Sequence, residues 1–446
     1  MIKNDNHKVL TNNFPILSQV STDFSGIFSQ EYSKEEILIF FRKNHADGVA
    51  YRKLLTLFTA EYFKVSEADT ISEYENSAEY YIDLRKYSIS DYTNEDFDLF
   101  HQLIDVTAMM RQDRLMREHL NYYESYDLLI SCTKFFIEFF KKKKYKILVT
   151  QIVDNYVMDI MCRIGNHYGV KVIGLVRFFF PGYVRITAYG EYNYLREPQS
   201  SEVEEVFNKL TQKSKTVFHV DKSKVIRKNV KYFFIYYAKY LIHYLYKHKL
   251  LGKLNYDYYT VPIVKYPSKI KNFFIGKYFT KDLSKIKKSD HTKLVYIPLH
   301  YYPEATVEYW VDNSETGTYF PSLFETIQKL SNQGYTVLIK EHPALYQRQN
   351  VEIYKELSKI KNAILIDSFI STYDVLDLVD TIVVWTGTSG LEAIMQGKKV
   401  AAVSNNYYNA GLLQDISNIK NIKILTEKER LKILTKIMSN CLPLNY

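Results

Sequence analysis

Cysteine is scarce: Cys132, Cys162 and Cys441 are the three in 446 residues. They are widely separated and lack metal-ligand spacing, which excludes a disulfide framework or a zinc module and points to free thiols in a reducing compartment. No apolar run reaches the ~20 residues a membrane-spanning helix needs. The N-terminus MIKNDNHKVL has no apolar signal core, so the expected location is cytoplasmic. A GxxxxGK[ST] stretch is missing, which argues against a Walker-type ATPase. The DxD triplet Asp96-Phe97-Asp98 falls in a helical stretch rather than at a strand end, which argues against a metal-centred sugar transferase. Neither a metal nor a resident cofactor is expected. Acidic residues are outnumbered, 50 against 59 Lys and Arg, for a net charge of +9. A positive chain attracts anions such as phosphorylated small molecules, anionic lipid or nucleic acid. Nucleic acid is not expected, because no RNA-binding motif accompanies the charge.

The rest of the composition is that of a globular protein, 46% hydrophobic and 24% charged, long enough for two domains. Early on, Ser33 with Glu36 reads as a capping box opening a helix through Ile37, Leu38, Phe40 and Phe41. Helical stretches follow around Tyr51 to Phe63 and from Asn94 to about Lys143. Ile147 to Thr150 then reads as a buried strand, Asp154 as the N-cap of a helix from Asn155 to Tyr168 stopped by Gly169, and Val170 to Val176 as the next strand. This β–α–β unit implies parallel pairing. A loop-rich excursion from Arg177 to Glu197 carries Arg177, Arg185 and Glu191.

Residues 222–253 hold nine Lys or Arg and no Asp or Glu, interleaved with aromatics. Two readings stay open for it: a half-buried helix with solvated lysines, or an interfacial helix on an anionic membrane surface. The latter adds a peripheral position at the inner membrane to the cytoplasmic expectation. Tyr256 to Asp290 reads as an interdomain linker, dividing the chain into domains 1–285 and 286–446.

Beyond it, short apolar runs alternate with helical stretches: Leu294 to Ile297, Thr336 to Ile339, Ala363 to Ile366, Thr381 to Trp385 and Lys399 to Val403, with Pro321 at the N1 position of a helix and a final helix from Glu427 to Met438. This alternation predicts an α/β domain with a doubly wound parallel sheet. Ligands of such sheets sit at the C-terminal strand edge. That edge here carries His300 and Glu304, then Lys340, Glu341, His342 and Pro343, then Thr386, Gly387, Thr388, Ser389 and Gly390. The last group leads from a buried strand into a helix N-terminus, with Gly397 placed to stop that helix. It reads either as N-cap chemistry or as a phosphate site built from backbone N–H groups and the helix dipole. Pro343 holds His342 extended, ready to donate to a phosphate oxygen. Glu392 either closes a capping box with Ser389 or accepts both hydroxyls of a ribose.

IPLHYYPEA (Ile297 to Ala305), KEHP (Lys340 to Pro343) and TGTSGLEA (Thr386 to Ala393), in this order, resemble the bacterial capsule and surface polysaccharide biosynthesis family, which includes transferases of Kdo and related ulosonic acids. The His-Pro pair followed by a hydroxyl-rich turn is also similar to sialyl- and polysialyltransferases that use CMP-sugars. The resemblance implies a GT-B pair of Rossmann-like domains. It implies a nucleotide-sugar donor on the C-terminal domain, with His342 at the donor phosphate, Thr388 and Ser389 binding phosphate and Glu392 the ribose. A glycan or lipid-linked acceptor would be activated by a base from the other domain. Asp154 is the candidate for that base, with Asp159 and Glu191 as alternatives, since the acidic-acidic-Gly motif of some sialyltransferases is missing. Other readings are a CDP-glycerol or CDP-ribitol phosphotransferase, a nucleotide-sugar epimerase, and a non-catalytic, membrane-docked scaffold of a capsule complex.

Overall fold

The structure, a computed structural model, describes residues 36–39, 60–64, 77–81, 87–142, 144–178, 180, 182–212, 221–242, 270–284, 286, 293–302, 304–310, 319–404, 408 and 414–443. The chain forms two compact units, Met1–Pro198 with Ile437–Tyr446, and Gln199–Lys436.

The first unit is built on a five-stranded sheet: β1 (Ile37–Ile39), β2 (Ile147–Gln151), β3 (Lys171–Arg177), β4 (Tyr183–Ile186) and a C-terminal strand, Cys441–Pro443. The first three pair in parallel, and the other two join antiparallel. The helix expected from Ser33 is therefore not what residues 37–39 form. Pairing Leu38 with Leu148 leaves Leu38 fully buried, and this long-range burial overrides the local capping signal. Ala60–Lys64, expected to be helical, is a strand paired with Ser77–Tyr81; residues 51–59 lie outside the described set. The helical stretch expected from Asn94 to about Lys143 is four helices, Asn94–Leu103, Val106–Gln112, Arg114–His119 and Tyr122–Lys142. Asp105 and Asp113 break it, each capping the helix that follows it. The β–α–β unit is present, with helix α1 (Tyr156–His167) between β2 and β3. Its N-cap is Asn155, whose side chain accepts from the Met158 amide at 3.0 Å, and not Asp154.

The second unit carries a six-stranded sheet of β5 (Leu294–Pro298), β6 (Thr336–Lys340), β7 (Ala363–Ile366), β8 (Thr381–Val384), β9 (Lys399–Ala402) and β10 (Gln414–Asp415). All pairs are parallel and the spatial order is β10-β9-β8-β5-β6-β7. This is the doubly wound order, in which the winding direction reverses between β5 and β8, and ligands bind in the crevice at that switch point. The near-continuous apolar strands, such as TIVV and AILI, suit a sheet covered on both faces. On one face Val295, Ile297, Val337, Ile339, Leu365 and Val383 pack in one core with Leu323, Ile327 and Leu330 of helix α2 (Tyr319–Asn332). Pro321 is the third residue of that helix rather than the first. The expected domain boundary at 285 falls inside this unit. Val225, Ile275 and Phe279 belong to the same core, and Thr280 makes a parallel bridge to Ile366, so residues 270–280 are part of the second unit rather than a linker.

Candidate functional site

The switch point lies between β5 and β8, and His300 follows the first as the Thr386–Ser389 turn follows the second. The two are joined directly: the Thr386 amide donates to His300 Nε2 at 3.2 Å. In the neutral ring the proton therefore sits on Nδ1, 4.0 Å from a Glu304 carboxylate oxygen. The His300 amide donates to the Tyr319 hydroxyl at 3.0 Å, and its ring meets Tyr319 edge-on. A Cβ on Gly387 would lie 3.3 Å from His300 Cε1, so glycine lets the turn rest on the imidazole. His300, one of the expected edge residues, thus braces the turn.

The helix after the turn, α3 (Thr388–Met395), begins within the hydroxyl-rich turn itself, with Gly387 as its N-cap and no side-chain cap. Ser389 is thus the second residue of the helix rather than a cap, and no Ser389–Glu392 capping box forms. Thr388 and Ser389 open a helix N-terminus with no side-chain cap, and Thr386 Oγ1 is buried without a hydrogen-bond partner. Together they make an anion cradle. Its backbone is pinned from below by Tyr408, fully buried, whose hydroxyl donates to the Gly387 carbonyl at 2.7 Å. A Cβ on Gly390 would come within 2.3 Å of that hydroxyl and 2.9 Å of Val384 Cγ2. Tyr408 escaped sequence reasoning because it lies 21 residues from its partner in a segment without local pattern. Gly397, at φ 72°, ends the helix as expected.

His342 stands across the edge as the N-cap of a short turn, its Nδ1 accepting from the Ala344 amide at 3.2 Å. Nε2 therefore carries the proton and is the donor. Desolvation, helped by Lys340 and His300 and opposed by Glu304, pushes its pKa down to about 4, so the ring is neutral at pH 7. Its face is set edge-on against Tyr301.

Alternation along β6 separates the rest of the KEHP stretch. Lys340 is buried, 3.4 Å from Thr372 Oγ1, and desolvation pushes its pKa down to about 8 against the pull of Glu392, Asp367 and Glu341. Glu392, in the second turn of α3, is buried too, and desolvation raises it to about 7 against Lys340. A lysine and a carboxyl titrating near neutrality beside a phosphate-ready turn form the electrostatic floor of the crevice. Glu341, expected with the donor-binding group, shares the face of Val337 and Ile339. It is 1% exposed, both carboxyl oxygens lack partners, and burial raises its pKa well above the usual range against the pull of Lys340.

The remaining candidates belong to the first unit. Asp154 is half-buried after β2; its carboxylate accepts from the Asn155 side-chain Nδ2 at 3.0 Å, and its carbonyl accepts from Arg114 at 2.9 Å. Glu191 is tied to its own loop, accepting from Thr187 Oγ1 at 2.9 Å and from the amides of Ala188 and Tyr189 at 2.7 and 2.6 Å. Asp159 is fully buried against Arg163 and the Tyr189 hydroxyl, at 2.8 and 2.7 Å. Of the three, Asp159 is locked in the interior, Asp154 is half-buried and Glu191 is exposed but engaged by its own loop. Arg185 is buried in β4, and the Arg177 side chain lies outside the described set. Asp96 of the DxD triplet is buried in ion pairs with Lys134 and Lys141 at 2.5 and 2.8 Å, which hold it well below the usual carboxylate range. Among the described residues no group of three His, Cys, Asp or Glu is arranged to hold a metal, and no helix is long and apolar enough to cross a membrane.

Residues 160–439 match the family model described as capsule polysaccharide biosynthesis protein. No match was found among curated protein sequences. Among solved structures, the chain is similar to Thermosulfurimonas dismutans KpsC, beta Kdo 2,7 transferase, at 15% identity over 68% of this chain and 78% of that one, TM-score 0.32. The beta Kdo 2,4 transferase of the same KpsC gives 14%, 66%, 79% and 0.33. The UDP-GlcNAc 2-epimerase of Neisseria meningitidis gives 11%, 91%, 95% and 0.28. Likenesses at this level carry no functional weight.

Proposed function

Because the chain belongs to the capsule polysaccharide biosynthesis protein family, a family of glycosyltransferase character, we propose that it is a metal-independent, inverting enzyme of GT-B type. It transfers a CMP-activated ulosonic acid, Kdo or a sialic-type sugar, to a glycan or lipid-linked acceptor in surface polysaccharide synthesis. The observation that carries the reading is the uncapped N-terminus of α3 at the switch point of the sheet, with His342 on the same edge.

In this reaction the acceptor hydroxyl oxygen bonds to the anomeric carbon as the bond from that carbon to the CMP phosphate oxygen breaks. The electron pair leaves with the phosphate, which gains a charge. Amides of Thr388 and Ser389, the helix dipole and the neutral His342 Nε2–H are preorganised donors for that charge. Glu392, backed by Lys340, would accept the ribose hydroxyls. The acceptor proton goes to Asp154 as general base. Release of CMP from a CMP-ulosonic acid, dependent on added acceptor and matched by glycosylated product, is the expected result. Release of an epimerised sugar nucleotide without acceptor, or transfer of an alditol phosphate from its CDP derivative, would replace this reading.

A further inference from the structure

Two ridges of the second unit present apolar side chains to solvent between cations. The first lies on the basic helix Lys222–Ile242. One face of this helix is held by the unit: Val225 is in the core, and buried Asn229 donates to the Tyr346 carbonyl at 2.6 Å and accepts from Arg348 at 3.1 Å. The opposite face, at helical spacing, carries Arg227, Val230, Lys231, Phe234 and Ala238, all exposed, with Phe234 at 68%.

The second ridge lies on the 3-10 helix Ile270–Tyr278. Its three-residue period stacks Lys271, Phe274 and Lys277 on one edge, and all three are exposed, Phe274 at 67%. Asn272 and Ile275 of the same helix are buried. The helices meet through Phe233 and Phe273, whose rings cross at 5.4 Å. Both are also tied to the loop that follows His342: Arg348 donates to Asn229, and its carbonyl accepts from Asn272 at 3.5 Å.

An exposed phenylalanine on a soluble domain is unremarkable singly. Two of them, each flanked by cations on its own ridge and in a stretch whose residues 222–253 hold no acid, form a surface of defined chemistry. We propose that the Arg227–Ala238 face and the Lys271–Lys277 edge together dock the protein on an anionic lipid bilayer, the phenylalanines entering the acyl boundary and the cations meeting headgroup charge. Both readings of the basic helix then hold at once, one for each face. Docking also sets the His342 loop beside the surface where a lipid-linked acceptor would lie.

The test is sedimentation of the full chain with phosphatidylcholine vesicles, with and without phosphatidylglycerol. Binding is expected to anionic vesicles and to fall with salt. Arg227→Gln with Lys231→Gln is expected to weaken it about 25-fold, at about fivefold per cation. Phe234→Ser with Phe274→Ser is expected to weaken it about tenfold or more while leaving salt dependence in place. Thermal melts and turnover of a water-soluble acceptor should stay at wild-type values in both variants, since none of the four residues lies at the donor edge. No vesicle binding by the wild type, equal binding to neutral vesicles, or unchanged binding by either variant overturns the proposal. Vesicle binding by a wild type that shows no sugar transfer would overturn the proposed function and leave the docking surface standing.

Discussion

Replacing His342 separates donor binding from structure if the substitution is chosen by what each ring nitrogen does. Nδ1 accepts from the Ala344 amide and caps the turn, which leaves the ring proton on Nε2. Asparagine can keep the cap with its amide oxygen but cannot reach as far as Nε2, so His342→Asn removes the donor alone. A hydrogen bond to a charged partner is worth about 1.5–3 kcal/mol, so kcat/KM for the nucleotide-sugar should fall roughly 10- to 150-fold with little change in Tm. His342→Ala should lose the same factor and also about 1 kcal/mol of stability from the missing cap. Because His342 is held neutral, with its pKa near 4, its contribution should be flat across neutral pH, since no imidazolium forms until pH falls towards 4. The assay is steady-state kinetics over pH 5–9 for the wild type and both variants. Unchanged kcat/KM in His342→Asn refutes the assignment. A wild-type contribution that declines between pH 6 and 8 would mean that a charged imidazolium does the work, which the buried setting argues against.

Other outcomes follow from neighbouring contacts. Gly390→Ala forces a Cβ onto the Tyr408 hydroxyl and Val384; overpacking of about 1–3 kcal/mol should lower Tm by several degrees and loosen nucleotide binding, and an unchanged Tm would show that the contact yields freely. His300→Leu leaves the buried Thr386 amide without an acceptor, at a cost of about 1–3 kcal/mol in a denaturant titration; equal stability would remove its role as strut. Glu392, raised to about 7, should lose its proton as pH rises through neutrality, so donor affinity should strengthen between pH 6 and 8, and Glu392→Gln should abolish that step; a step that survives in the variant belongs to another group. Asp154→Asn should bind donor normally and lose transfer by about 10²–10⁴-fold; retained transfer dismisses it as the base.

What was legible from sequence was the second unit. Its strands are buried on both faces, so Thr381–Val384 and Ala363–Ile366 announce themselves as short apolar runs between helices, and the edge residues follow from counting to each strand's end. The first unit was less legible because its pairing is long-range. Ile37–Ile39 becomes a strand only by lying beside Ile147–Val149, more than a hundred residues away in sequence, and the polar residues before it mimic a helix cap. The KEHP stretch illustrates a finer limit. Spacing places four residues at the edge, but alternation sends Lys340 and Glu341 to opposite faces, and Glu341 is almost fully buried, which raises its pKa. His300 was found as an edge residue, but its hydrogen bond with the Thr386 amide is visible only in the fold.

The central claim is that the Thr386–Ser389 turn and His342 bind a nucleotide phosphate. A thermal-shift titration with CMP, CDP, UDP and GDP on the wild type and His342→Asn tests it most directly. Saturating ligand at about 100 times its Kd should stabilise the folded protein by roughly 2.7 kcal/mol. The account predicts a rise in Tm with a cytidine nucleotide in the wild type and a clearly smaller rise in the variant at the same concentration. No rise with any nucleotide, or an equal rise in both proteins, would contradict it.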